Sequence, residues 1–249
     1  MRLRIGSVAA SLSVVILAGT QIACGAVQQD WLRQEDFEAC IQGTPAPGWN
    51  AATWQYVGAG GVMHGHKSLV VDPSLATNEA PRWIATSLAT PTNGTATLFL
   101  DCRLEGAASA TVQLVRGGHS LAILRLGAIC TASGSDWNKG WTTFGTVAQG
   151  VWFRIAAELP LEPGAMPEGR TRFRVRRDRL VGAQWLEGEW TEVPFPAAER
   201  YWKVTDGKRL TSAFHRNFEL RVYRPSGKFL IDNVLVLHSH ESSQRGRTE

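Results

Sequence analysis

Four stretches of the chain carry residue types that could do chemistry. The first is Ser133-Gly134-Ser135-Asp136-Trp137-Asn138-Lys139-Gly140-Trp141, a loop by composition that sets two indoles beside an acid, an amide and an amine. Sugar rings present apolar C–H faces and a rim of hydroxyls, so glycan binding calls for aromatic platforms with polar neighbours. Trp137, Trp141, Asp136 and Asn138 are therefore the candidate ligand-binding residues. The plainer alternative is that Trp141 opens a strand and packs in the core. A second cluster, Trp185 to Trp190 followed by Tyr201-Trp202, is read more simply as core. The third stretch is acidic: Glu187-Gly188-Glu189-Trp190-Thr191-Glu192. Strand alternation would put Glu187 and Glu189 on one face, and a retaining glycoside hydrolase needs two carboxyls about 5–5.5 Å apart. A solvated acidic loop is the alternative. The fourth is Asp232, inside the strongest strand signal of the chain, Lys228 to Leu237. A carboxylate there is costly to desolvate unless it is paired or bound to a cation.

Other motifs are weaker. His64-Gly65-His66 and His238-Ser239-His240 would each aim two imidazoles to one face of a strand, which suits zinc, but no cysteine or carboxylate stands at ligand spacing. There is no G-x-S-x-G elbow, no phosphate loop and no C-x-x-C. Asn93-Gly94-Thr95 has the letters of a glycosylation sequon and is read as a turn.

The chain has 249 residues, 44% apolar, with 10 Trp and 25 Gly, so it can bury a core. Its N-terminus reads as a secretory leader: Arg2 and Arg4, an apolar stretch from Val8 to Ala18, then Cys24-Gly25-Ala26, with cleavage expected after Ala26. The alternative is a lipoprotein with lipid attached to Cys24. The formal charge is +4, and without Arg2 and Arg4 it is about +2, too little to favour nucleic acid. Beyond the leader no stretch could span a membrane. Cys40, Cys102 and Cys130 remain, an odd number that allows at most one internal disulfide. Cys102 with Cys130 is one pairing; three buried thiols is the other reading.

These residues must be positioned by strands. The pattern predicts a loose lead-in over 27–35 and strands over 36–41, 49–57, 67–72, 81–87 and 95–104. A hairpin over 110–116 and 120–130 and a strand over 151–159 follow. Residues 171–177 alternate cleanly, with Phe173 and Val175 pointing in and Arg172, Arg174 and Arg176 forming a wet face. A last hairpin joins 218–223 to 229–237 around Pro225-Ser226-Gly227, and the tail from His238 frays. A dozen short strands with Gly and Pro turns and no three-turn amphipathic helix predict an all-β sandwich, one domain over 27–240 with a polar tail at 241–249.

Three of these stretches resemble the jelly-roll domains of the concanavalin A-like lectin/glucanase and carbohydrate-binding-module type. They are Glu35-Asp36-Phe37-Glu38, Gly65-His66-Lys67-Ser68-Leu69-Val70-Val71 and Phe229-Leu230-Ile231-Asp232-Asn233-Val234. The resemblance covers residues 36–237 and implies a two-sheet antiparallel jelly roll. It also implies a structural Ca²⁺ held by Glu38 and Asp232 with backbone carbonyls, Lys67 among them and Asp36 less so; hard oxygen ligands suit that ion. The related laminarinase-like glycosidases use an E-x-D-x-x-E strand. Here the central Asp is replaced by Glu189, and Gly188 and Thr191 stand where apolar residues hold such a strand in its sheet. The function expected is therefore a non-catalytic glycan-binding sandwich of an exported protein (secreted, periplasmic or at the cell surface). A glycoside hydrolase or lyase using Glu187, Glu189 and Glu192, and an adhesion-type envelope protein with protein partners, are the alternatives.

Overall fold

The computed structural model describes residues 27–50, 52–62, 65–88, 95–116, 119–134, 140–160, 172–194 and 218–241. Among these residues fifteen strands fall into two antiparallel sheets. The six-stranded sheet runs β4 (Trp83–Leu88), β14 (Phe218–Tyr223), β6 (Ala110–Arg116), β7 (His119–Leu126), β8 (Ile129–Ser133), β9 (Thr142–Thr146). The nine-stranded sheet runs β12 (Gln184–Leu186), β11 (Arg172–Val181), β10 (Phe153–Pro160), β5 (Thr95–Leu104), β15 (Phe229–Glu241), β3 (Lys67–Val71), β2 (Gln55–Ala59). In that sheet β1 (Val27–Glu35) also pairs with β15, and β13 (Thr191–Pro194) with β11.

Period-two alternation builds the core, because successive side chains point to opposite faces. From the larger sheet come Leu98, Leu100 and Leu104, Phe153 and Ile155, Phe173 and Val175; from the smaller come Ile84, Val112, Leu114, Leu124 and Val222. The architecture is the all-β sandwich that the sequence predicts.

β15 needs a correction to its parity to do this. Phe229 and Ile231 point into the core, and so do Val234 and Val236. An irregularity in the pairing with β5 between Asp232 and Leu235, with Asn233 at φ 45°, supplies the extra residue. A bulge of this kind re-aims the residues after it. The face expected from simple alternation, Leu230 with Asp232, Val234 and Val236, is thus split at Asp232.

Several expectations are corrected. Residues 27–35 form β1, paired with β15 from Glu35↔Val234 to Val27↔Glu241, because β15 continues past Leu237 and offers an edge to cover; the tail from His238 is strand as far as Glu241. Residues 36–41 form a turn. Phe37 sits at φ 60° with its ring in the core, while Asp36 Oδ1 accepts the Glu38 amide. Of the 49–57 stretch only 55–57 is strand, as the start of β2, which runs Gln55–Ala59. Finally, β14 and β15 are not a hairpin. They lie in different sheets, and the connection between them bonds to other loops, Ser226 N donating to Ser109 O and Arg224 N to Arg82 O. The β6–β7 hairpin forms, but the stretch over 120–130 is not one strand: β7 stops at Leu126 and β8 begins at Ile129.

Candidate functional site

The predicted residues fall at three places. The first joins the ends of the chain. Glu38, from the turn after β1, accepts the amides of His66 (2.7 Å) and Lys67 (2.8 Å) at Oε1. Asp232 is 1% exposed; its Oδ2 accepts the Val62 amide and its Oδ1 that of Asn233, each at 2.8 Å. Gly65 lies between the two acids: a Cβ there would stand 2.9 Å from Glu38 Oε1 and 3.5 Å from Asp232 Oδ2. Burial pushes the Asp232 carboxyl up to about 7 against the pull of its two amides, and the nearby charges of Asp101 and Glu38 add to the rise. Burial also works to raise Glu38, but the amides of Lys67 and His66 and their side-chain charges outweigh it and hold it low.

Lys67 plays a different part from the one expected. Its backbone N–H donates to Glu38, and its ammonium donates to Glu38 O and Cys40 O at 2.7 Å each. Asp36 is exposed and turned to its own loop. Among the described residues no three His, Cys, Asp or Glu side chains converge. A cation here would draw on Glu38, Asp232 and backbone carbonyls. The cradle left by Gly65 and the all-oxygen donor set fit Ca²⁺.

The second place is the outer face of the nine-stranded sheet. Arg154 grips Asp101 (0% exposed) with two bonds, Nε–Oδ1 2.6 Å and Nη2–Oδ2 3.0 Å, and Asn233 Nδ2 donates to the same Oδ2. Arg174 donates to Glu158 at 2.7 Å, and Arg176 donates to Glu187 at 2.6 Å and lies 3.1 Å from Asp178. The Trp190 ring lies against both Arg174 and Arg176, at 4.5 and 4.7 Å, and Trp185 lies 4.7 Å from Arg154. Arg174 and Arg176 do point outward, as expected, but Arg176 is buried, so this is not a wet face; the side chain of Arg172 lies outside the described residues. A planar guanidinium can stack on a ring and bond a carboxylate at its edge at the same time.

The acidic pattern falls here too. Residues 187–190 connect β12 to β13 and are not strand, so alternation does not pair Glu187 with Glu189. The Glu187 side chain is 68% exposed and tied to Arg176; Glu189 and Glu192 are exposed, with Glu192 opposite Arg174 in the pairing of β13 with β11.

The third place is the outer face of the six-stranded sheet. Trp141, just before β9, is half-buried and reaches over β8 to the exposed Arg125 of β7, whose guanidinium sits 3.8 Å from the ring. Asp136, Trp137 and Asn138 lie outside the described residues, as do His64 and residues 1–26. On the far side of this face Trp83 and Tyr223 form a tilted pair, centroids 5.6 Å apart. Trp83, Tyr223 and Arg125 carry no motif. The signal available was parity, since each alternates with core residues (Ile84, Val222, Leu124), but the register that lines them up is not written in any one strand.

His66 is exposed and His238 buried, and they are not brought together as a metal site among the described residues. Cys40, Cys102 and Cys130 are free thiols; Cys102 and Cys130 are buried, as the reading of three buried thiols expects, but Cys40 is only half-buried. Burial pushes the Cys102 thiol well up.

No family model and no curated protein matches the chain. Solved structures similar to it include the CBM2 module of Lactobacillus casei BL23 phage J-1 evolved Dit (6% identity, covering 86% of this chain and 97% of that one, TM-score 0.48). Others are a β-1,3-glucanase from Mycobacterium marinum (12%, 85% and 99%, 0.43) and the carbohydrate-binding module CBM66 from Bacillus subtilis (8%, 79% and 98%, 0.37). At these identities the likeness is one of fold; the sandwich itself rests on the strand pairing above. Among the described residues no helix is long and apolar enough to cross a membrane.

Proposed function

We propose that this chain is a non-catalytic glycan-binding sandwich of an exported protein, using the outer face of the six-stranded sheet. The observation that supports it most is the half-exposed Trp141 ring laid over Arg125 on a sheet face that also carries threonine hydroxyls, at one of the residues named as candidates for ligand contact. The candidate acids favour binding over turnover: Glu187 is engaged with Arg176 on the opposite sheet, away from this platform. Export is supported by the leader pattern of residues 1–26. Glu38 and Asp232 are proposed to hold a structural Ca²⁺, which would supply positive charge to two carboxylates that otherwise repel.

The test is a glycan microarray probed with the wild type and Trp141→Ala, run beside a reducing-sugar assay on the polysaccharides that bind. Capture that is lost in Trp141→Ala, with no sugar released, is the expected result. Sugar release abolished by Glu187→Gln would replace this reading with the hydrolase one.

A further inference from the structure

We infer that the same face carries a second aromatic subsite, Trp83 with Tyr223, and that its ligand is an extended neutral glycan lying across the strands between that pair and Trp141. The inference rests on the glycan reading above and adds the ligand's length, direction and charge class.

Strand register lines up the residues. Tyr223 pairs with Trp83 on β4 and with Thr111 on β6; Thr111 pairs with Arg125 on β7, Arg125 with Thr131 on β8, and Thr131 with Thr143 on β9. All six side chains point away from the core, because their neighbours Ile84, Val222, Val112, Leu124, Ala132 and Phe144 point into it. All six are half-buried or exposed. The next row inward differs: Gln113, Ile123 and Ser133 are paired in register and fully buried. The row of Thr111, Arg125, Thr131 and Thr143 is therefore an accessible path across these strands, while the row of Gln113, Ile123 and Ser133 beside it is not.

Chemistry along that row alternates in the way a sugar chain requires. The Trp83–Tyr223 pair stands at one end, the Trp141–Arg125 stack towards the other, and the hydroxyls of Thr111 and Thr131 lie between and beside them. Neighbouring strands are about 4.8 Å apart, so Tyr223 and Arg125 are separated by roughly 10 Å and the whole row spans roughly 24 Å. One sugar cannot touch both platforms. Beside Trp83, Arg221 lies 5.2 Å from the ring and donates from Nε (2.8 Å) and Nη2 (2.6 Å) to Glu219 Oε2. This fork offers donors and acceptors to hydroxyls while its own charges cancel, so at the Trp83 end it favours a neutral sugar over a uronate.

The experiment is calorimetric titration with oligosaccharides, disaccharide to hexasaccharide, of the neutral glycan that binds best on the array. Affinity should rise by about tenfold or more with length, and Trp83→Ala should cost the hexasaccharide about tenfold, the worth of one stacked ring. Trp83→Phe, which keeps a ring, should recover most of that, with unchanged melting as the check on folding. Equal affinity for disaccharide and hexasaccharide would overturn the inference while leaving glycan binding intact, as would wild-type hexasaccharide affinity in both Trp83→Ala and Tyr223→Ala. Array capture confined to uronate or sulfated glycans would overturn the neutral class, and an array with no capture at all would overturn both this inference and the reading beneath it.

Discussion

Asp101 and Asp232 are register partners across β5 and β15, and their environments treat the two buried carboxyls differently. Asp101 receives Arg154 as a counterion and Asn233 as a further donor. Removing one member of such a pair strands the other, whereas removing both costs less than the sum. Asp101→Ala should lose about 3 kcal/mol in denaturant unfolding, and Asp101→Ala/Arg154→Ala should lose clearly less than the two single losses added. Asp232 receives only amides, and its carboxyl rises from 3.8 to about 7. A raised value means that the folded chain keeps a proton the unfolded chain gives up. The stability this contributes is full at acid pH and disappears as pH climbs through about 7. In chelator, melting temperature should fall between about pH 4 and 7 by a component that Ca²⁺ reverses at the upper end, since the metal favours the carboxylate. A component unmoved by Ca²⁺ would count against the metal.

Elements show where local pattern stopped being enough. Alternation in β11 correctly sent Phe173 and Val175 inward, but it could not show that Trp190, fifteen residues on, returns to roof Arg174 and Arg176. The Asp36-Phe37-Glu38 stretch has strand-like letters, yet Phe37 reaches the core only through a left-handed turn, an uncommon conformation for a bulky residue. In β15 the parity switch at Asn233 is a tertiary device, and no period in the sequence contains it. The β12–β13 connection depends on close approach of backbones: a Cβ on Gly188 would fall 2.2 Å from the Arg177 carbonyl oxygen, while the Gly188 amide donates to Asp178. Gly188→Ala should therefore cost about 2 kcal/mol, read as a lower melting temperature together with a red shift of tryptophan emission as the roof lifts.

At the scale of the whole molecule the two outer faces are unlike. The nine-stranded sheet closes its outer surface with paired charges and tryptophan roofs; the six-stranded sheet leaves a row of rings and hydroxyls accessible. The sandwich class was legible because apolar alternation and Gly/Pro turns recur along the whole chain. That Asp232 needs partners was legible because a charge inside an apolar strand demands them, and it takes the Val62 and Asn233 amides; its pairing with Glu38 in a clasp came only with the resemblance. Which sheet each strand joins, and so which tryptophans share a face, depends on crossovers such as the one between β14 and β15 that leave no periodic trace. If Ca²⁺ sits in the clasp, chelation should lower the melting temperature by several degrees and added Ca²⁺ should restore it, since a bound ion stabilises the folded state by mass action. The most direct measurement is retention of the wild type and Trp141→Ala on insoluble polysaccharides at equal fold stability. The account predicts that the wild type is retained and the variant flows through; equal retention of both, or of neither, would contradict it.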